Sequence, residues 1–259
     1  MKTTDFDYHL PKELIAQIPA DPRDHSRLLV LSRDAGSIEH RHFYDLRDYL
    51  RPDDVLVFND SRVIPARLYG TRTDTGRRVE ILLLCRLSSG LWSALVRPGR
   101  KLQAGTKFEF AGVDARILGT IVDQQEGGLR TVNLVGEEHI QRLGRLPVPP
   151  YIHEPLGDPE RYQTVYSRIQ GSVAAPTAGL HFTPGLLDQL RTMSVEMAFV
   201  TLHVGWDSFR PVSTEAIGDH TMHSEYWELG QEAVDTINRA KSEGRRVISV
   251  GTTAARLLE

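Results

Sequence analysis

Six short runs at 66–70, 79–87, 91–97, 107–110, 115–122 and 129–135 read as strands and follow one another with no helical period among them. Gly-bearing turns such as Asp74-Thr75-Gly76, Ser88-Ser89-Gly90 and Glu126-Gly127-Gly128 separate several of them. Short strands at even spacing predict a small barrel or sandwich. The flanks read differently. Residues 11–18 predict a short helix with Pro11 in its first turn and Pro19 as its stop. Residues 27–31 and 54–58 predict buried strands, with one or two helical turns at 45–50 between them. Beyond an extended Pro-rich linker at 146–151, helices are expected at 184–191 and 230–242. Strands are expected at 195–204 and 246–251, the last running into Thr252-Thr253 and a helix start. The fold class expected is α/β: a larger mixed α/β domain (1–64 and 151–259, discontinuous) interrupted by a small inserted β-barrel domain (65–150). A helix of two turns ending at Glu259 has little stability of its own, so the α/β domain is expected to continue past this C-terminus.

The longest unbroken apolar run, 81–85, is far shorter than the roughly 20 residues a membrane helix needs. The first five residues lead into no apolar run, so no secretory signal is expected and the cytoplasm is the expected location. One cysteine, Cys85, excludes an internal disulfide and a Cys-cluster metal site, and its apolar neighbours predict a core position. Trp92 reads as barrel core as well. Net charge is −3, yet nine cations and three anions fall between Arg67 and Phe110. Seven of the nine are arginines, whose flat fork suits phosphate oxygens. That face could dock a folded nucleic acid or be a solvated β surface; both readings stay open.

Candidate chemistry gathers at strand ends and turns: 58–63, 172–182, 201–205, 220–225 and 250–253. Loops at the carboxyl edge of an α/β sheet are where ligands sit. His181, His203, His220 and His223 lie close in sequence, with Glu225 nearby. They admit three readings: acid/base catalysts, zinc ligands, or side chains that satisfy local backbone. No GxGxxG, P-loop or GxSxG pattern is present. The residues alone thus describe a two-domain α/β enzyme with a His-rich pocket and a cationic β domain, without naming its reaction.

Two blocks name one. SVAAPTAGLHFT at 172–183 and FNDSRVIPARL at 58–68 resemble the S-adenosylmethionine:tRNA ribosyltransferase-isomerase family of queuosine biosynthesis. Asp21-Pro22-Arg23-Asp24, Leu202-His203-Val204-Gly205, Met222-His223-Ser224-Glu225 and Val250-Gly251-Thr252-Thr253 support the match. The resemblance implies transfer and isomerisation of the S-adenosylmethionine ribosyl unit onto an aminomethyl-deazaguanine at the tRNA wobble position. Adenine and methionine leave. S-adenosylmethionine is consumed as a substrate, no cofactor or metal is implied, and tRNA is the partner of a chain expected to act as a monomer. His181, His223, Glu225 and His203 become catalytic candidates. Asp60, Arg62, Pro176, Thr177, Ala178, Gly179, Gly205, Phe209, Met222, Gly251, Thr252 and Thr253 become substrate-binding candidates. Arg67, Arg97, Arg100 and Lys101 become tRNA contacts. The chain departs from the family in two places: Asp207-Ser208 stands ahead of Phe209 where Gly-Thr is usual, adding bulk and charge, and the further motifs with which family members are expected to continue beyond the last helix are lacking here. A noncatalytic tRNA-binding relative is the alternative reading. The candidate loops are expected to converge on one cavity.

Overall fold

The computed structural model describes residues 1–125, 128–205, 212–222 and 224–259. Strands β1 (Arg27–Ser32) and β2 (Ser37–His42) form an antiparallel hairpin, followed by β3 (Val55–Asn59) and β4 (Ser61–Val63). Next come β5 (Arg67–Arg72), β6 (Arg78–Ser88), β7 (Leu91–Arg97), β8 (Lys107–Ala111), β9 (Arg116–Gln124) and β10 (Leu129–Val135). The remainder is α1 (Ile140–Leu143), β11 (Ile169–Ser172), α2 (Pro184–Thr192), β12 (Glu196–Leu202), β13 (Trp227–Glu228), α3 (Gln231–Ser242), β14 (Val247–Ser249) and α4 (Thr252–Leu258).

β5 to β10 close into a barrel in the order β10-β7-β6-β5-β8-β9. Alternation along the strands turns Leu68, Ile81, Leu83, Phe108, Phe110 and Ile117 inward, where they make one apolar core. Closure leaves no strand edge of this stretch unpaired. The chain leaves the barrel beside its entry, where Arg67 and Arg145 exchange backbone hydrogen bonds of 3.0 and 2.8 Å.

The second centre is a four-stranded sheet in the order β13-β12-β3-β14, with β12, β3 and β14 parallel. β3 is buried on both faces, which is why its sequence is continuously apolar. Leu56 and Phe58 pack with Phe182 and with Leu186, Leu187 and Leu190 of α2. Val55 and Val57 pack on the other side with Ala233, Ile237 and Ala240 of α3 and Ala254 of α4. A short parallel pair, β4 with β11, joins this sheet to the barrel.

Three expectations fail, each for a long-range reason. Residues 11–18 are not a helix. Only Lys12–Leu14 makes a 3-10 turn, because the Gln17 carboxamide clamps the segment onto distant backbone, donating to the Tyr151 carbonyl (3.0 Å) and accepting from His153 N–H (2.8 Å). The strand at 27–31 is not buried: it pairs only with β2, leaving Leu29 and Leu31 more than half exposed. Cys85 is exposed rather than in the core, since the β6–β7 register shifts between Leu83 and Cys85 and turns the strand's far end to solvent. Among the described residues no helix is long and apolar enough to cross a membrane.

Trp92 does sit in the barrel core, its indole N–H donating to Glu137 at 2.8 Å. Glu137 also accepts from Arg86 (2.5 and 3.2 Å) and from Gly90 N–H (3.0 Å), tying the β6–β7 hairpin to the turn after β10. The Arg86 guanidinium, with help from Trp92 and Gly90, pulls this carboxyl down from 4.5 to about 2. A depressed carboxyl adds stability above its unfolded value and loses it as pH falls toward the folded one. Glu137→Gln is expected to lower stability by about 2 kcal/mol at pH 7. Thermal melts should show the gap to the parent chain closing as pH drops from about 4.5 to about 2.

Candidate functional site

The three parallel strands end on one edge of the sheet, and each hands over to a candidate residue: β3 to Asp60, β12 to His203, β14 to Val250-Gly251. The handover between β3 and β12 depends on Asn59. Its fully buried carboxamide donates to the Leu202 carbonyl (2.9 Å) and accepts from Leu202 N–H (3.0 Å) and Ser61 N–H (3.1 Å). That side chain continues the ladder where the β3 backbone turns away.

Asp60 is 1% exposed. One carboxylate oxygen accepts from Arg168 (3.0 and 2.6 Å) and the other from Thr201 Oγ1 (2.7 Å). Both oxygens are thus engaged inside the protein. His203 stacks on Tyr226 at 5.4 Å, and its buried Nδ1 has no hydrogen-bond partner among the described residues. Burial lowers its pKa, outweighing the opposing pull of Asp60 and Glu228, so the ring is neutral at pH 7. Gly171, at φ +149, leaves it room: a Cβ there would stand 2.6 Å from His203 Nε2.

The block at 172–181 runs across this edge. Ser172 Oγ donates to the Ala174 carbonyl (2.6 Å) and accepts from Val204 N–H (3.0 Å), strapping the block to the loop after β12. Pro176 is buried, Thr177 is exposed, and Gly179 lies buried against the Tyr166 hydroxyl. Ala178 meets Gly251, whose φ of +87 favours glycine and where an added Cβ would stand a tight 3.1 Å from the Ala178 Cβ. Glu225 closes the ring: it accepts from Gly205 N–H (2.9 Å) and from Arg256 of α4 (2.5 Å). Asp60 is thus close enough to His203 to act on its charge, Glu225 holds Gly205, and Ala178 touches Gly251. Thr252 is exposed, whereas Thr253 Oγ1 is buried and has no partner among the described residues.

His181 faces the other way. It lines a cavity of about 380 Å³ with Arg23, Ser26, Tyr151 and Thr177, and its Nδ1 lies 2.8 Å from Ser26 Oγ. Burial lowers its pKa against a backbone hydrogen bond with Arg23 that raises it, so this ring too is neutral at pH 7. The cavity that His181 lines holds none of His203, Gly205, Glu225 or Gly251. The 172–181 block is a ridge with the His181 cavity on one flank and the strand-end edge on the other. Phe209 and His223, like Asp207 and Ser208, lie outside the described residues. Met222 is exposed and His220 partly buried.

The remaining candidates sit apart. Arg62 bonds Ser167 Oγ (2.9 Å) and Glu160 and faces a groove, not the ridge. Arg67, paired with Glu80 at 2.9 Å, and Arg97 line that same groove between barrel and linker. Arg100 and Lys101 are exposed on the turn after β7, away from it. Sequence reasoning missed Ser26, Asn59, Arg168 and Arg256. Asn59 carried a signal, a polar residue ending an apolar strand; Arg168 and Arg256 carried none, because their partners are remote in sequence.

The family described as queuosine biosynthesis protein matches residues 3–259. A Staphylococcus haemolyticus protein named S-adenosylmethionine:tRNA ribosyltransferase-isomerase is 49% identical over 263 residues, covering 100% of this chain and 76% of that one. A Clostridioides difficile protein of the same name is 51% identical with the same coverage. A crystal structure of S-adenosylmethionine tRNA ribosyltransferase from Thermotoga maritima is 35% identical, with a TM-score of 0.46 over 98% of this chain and 71% of that one.

Asn59→Asp keeps the shape of the clamp but deletes its donor and buries a charge beside the Leu202 carbonyl. It is expected to cost roughly 2–4 kcal/mol, read as a lower denaturation midpoint with an unchanged slope.

Proposed function

The chain belongs to the family of queuosine biosynthesis proteins, and from that premise we infer that it is an S-adenosylmethionine:tRNA ribosyltransferase-isomerase. The observation that carries this is the 49% identity over the whole chain to a protein of that name, which takes in the ridge and all three strand ends. The acceptor is the aminomethyl group of a 7-deazaguanine at the wobble position, and adenine and methionine are released. S-adenosylmethionine is consumed as a substrate and no cofactor takes part. The chain works as a monomer in the cytoplasm.

The chemistry sets demands that this geometry suits. A sulfonium acidifies the adjoining ribose C5′ hydrogens, so a neutral base must stand close by. His181 is such a base: burial keeps it unprotonated and the Ser26 hydroxyl at Nδ1 fixes its ring, leaving Nε2 to take the proton. S-adenosylmethionine lies across the ridge, its ribose over Thr177 to Gly179 and its methionine end toward Gly251 and Thr252. Delivery of a proton to the departing adenine is left to His223, while neutral His203 can only hydrogen-bond the ligand. Glu225 is a positioning residue that locks the Gly205 loop to α4, and Asp60 positions Thr201 and Arg168 beside His203.

Protein incubated with S-adenosylmethionine and tRNA bearing the aminomethyl deazaguanine should release adenine and yield a heavier wobble nucleoside. tRNA binding without adenine release would instead fit the noncatalytic relative. His181→Ala is expected to lower kcat by 100-fold or more while leaving tRNA affinity unchanged. With His181 held below its ordinary 6.5, the rate should stay level as pH falls through 6.5 and drop only further down. His181→Gln should abolish that acid limb.

A further inference from the structure

The groove of about 790 Å³ between the barrel wall and the linker after it is not used by the chemistry above. Its barrel side is β5, where alternation turns Leu68 into the core and Arg67 and Tyr69 outward. Tyr69 is 51% exposed, a large aromatic ring offered to solvent on a rigid strand. Arg145 stands over it, guanidinium carbon 5.5 Å from the ring centre. The placement is built, because the backbone of Arg145 is pinned to β5 by its paired hydrogen bonds with Arg67. Arg97 reaches the same groove with little restraint, 77% exposed and 4.0 Å from Glu80.

The floor of the groove carries Arg62 of β4 and Gln170 of β11, which pair in register. Asp60 lies two residues before Arg62, and Gly171, against His203, directly follows Gln170. The β4–β11 pair is therefore the wall between groove and strand-end edge.

A flat aromatic face, a guanidinium plane and three arginines in one groove suit single-stranded nucleic acid, with Arg97 the least held by carboxylates, since Arg62 pairs with Glu160 and Arg67 with Glu80. Bases stack on aromatic or guanidinium planes while arginines meet the backbone. We propose that Tyr69 and Arg145 form a stacking platform for an unpaired base of the tRNA anticodon loop, whose phosphates run past Arg62, Arg67 and Arg97. This deepens the ribosyltransferase reading and rests on it for the identity of the RNA. It also separates the candidate cations: Arg67 and Arg97 belong to the platform groove, Arg100 and Lys101 do not.

The test measures binding of a fluorescein-labelled anticodon stem-loop RNA by anisotropy across a salt series, beside turnover with full-length tRNA. Thermal melts confirm that each variant is folded. Tyr69→Ala is expected to weaken RNA binding about tenfold and to raise KM for tRNA alike, leaving KM for S-adenosylmethionine unchanged. Tyr69→Phe, which keeps the ring, should bind as the parent does. Arg97→Ala should flatten the log–log salt slope by roughly 0.7–0.9. Should Tyr69→Ala fail to fold, Tyr69→Leu decides, since it keeps bulk and loses the π-face. Unchanged RNA affinity in the folded Tyr69 variant overturns the platform while the ribosyltransferase reading stands. Absence of adenine release by the parent chain overturns that reading, and the anisotropy series still decides the platform.

Discussion

The Asn59 carboxamide is the contact on which the arrangement depends. At the end of β3 the chain must leave the sheet to form β4, while β12 continues to Leu202 and hands over to His203. Without a substitute partner, the buried N–H and C=O of Leu202 would be orphaned, at a cost of about 1–3 kcal/mol each. The carboxamide offers one donor and one acceptor in the geometry of a backbone unit and satisfies both. It lets two neighbouring strands part at one point, where β3 hands over to Asp60 and β12 to His203.

What lies around the parting follows from the same economy of buried polar groups. A carboxylate as enclosed as Asp60 is tolerable only when paired and hydrogen-bonded. Arg168 and Thr201 do both, and Arg168 extends over the Phe199 ring at 5.6 Å. Ser172 plays the corresponding part for the ridge, bonding Ala174 and Val204 so that the 172–181 block stays on the sheet edge. Because the ridge is strapped in the middle, its two flanks serve different spaces. His181 looks into a largely apolar cavity, and Ala178 and Gly251 close on each other over the strand ends.

How much of this the sequence discloses depends on the range of the cause. The barrel strands are legible because period-two alternation and Gly-bearing turns are local, and they reappear with ends moved by a residue or two. The apolar runs at 27–31 and 54–58 look alike, yet one is a hairpin strand and the other the centre of a sheet. Which neighbours a strand acquires is not written in the run itself. Cys85 faces solvent because of a register shift against β7, a pairing property that composition hides. The site motifs were visible as dense polar blocks after strands. Their facing was not, since the opposite outlooks of His181 and His203 are set by contacts with Ser26 and Gly171. Tyr69 and Arg145 were unmarked for the same reason: half of the platform lies on each side of the barrel sequence.

A crystal structure with S-adenosylmethionine bound tests the central claim most directly, since the claim concerns where the sulfonium nucleoside sits. Ligand density is expected over the Thr177–Gly179 stretch, with the ribose facing the His181 imidazole and the amino-acid end beside Gly251. Density held wholly elsewhere, in the barrel groove or on the β1–β2 hairpin, with neither the ridge nor Gly251 in contact, would contradict it.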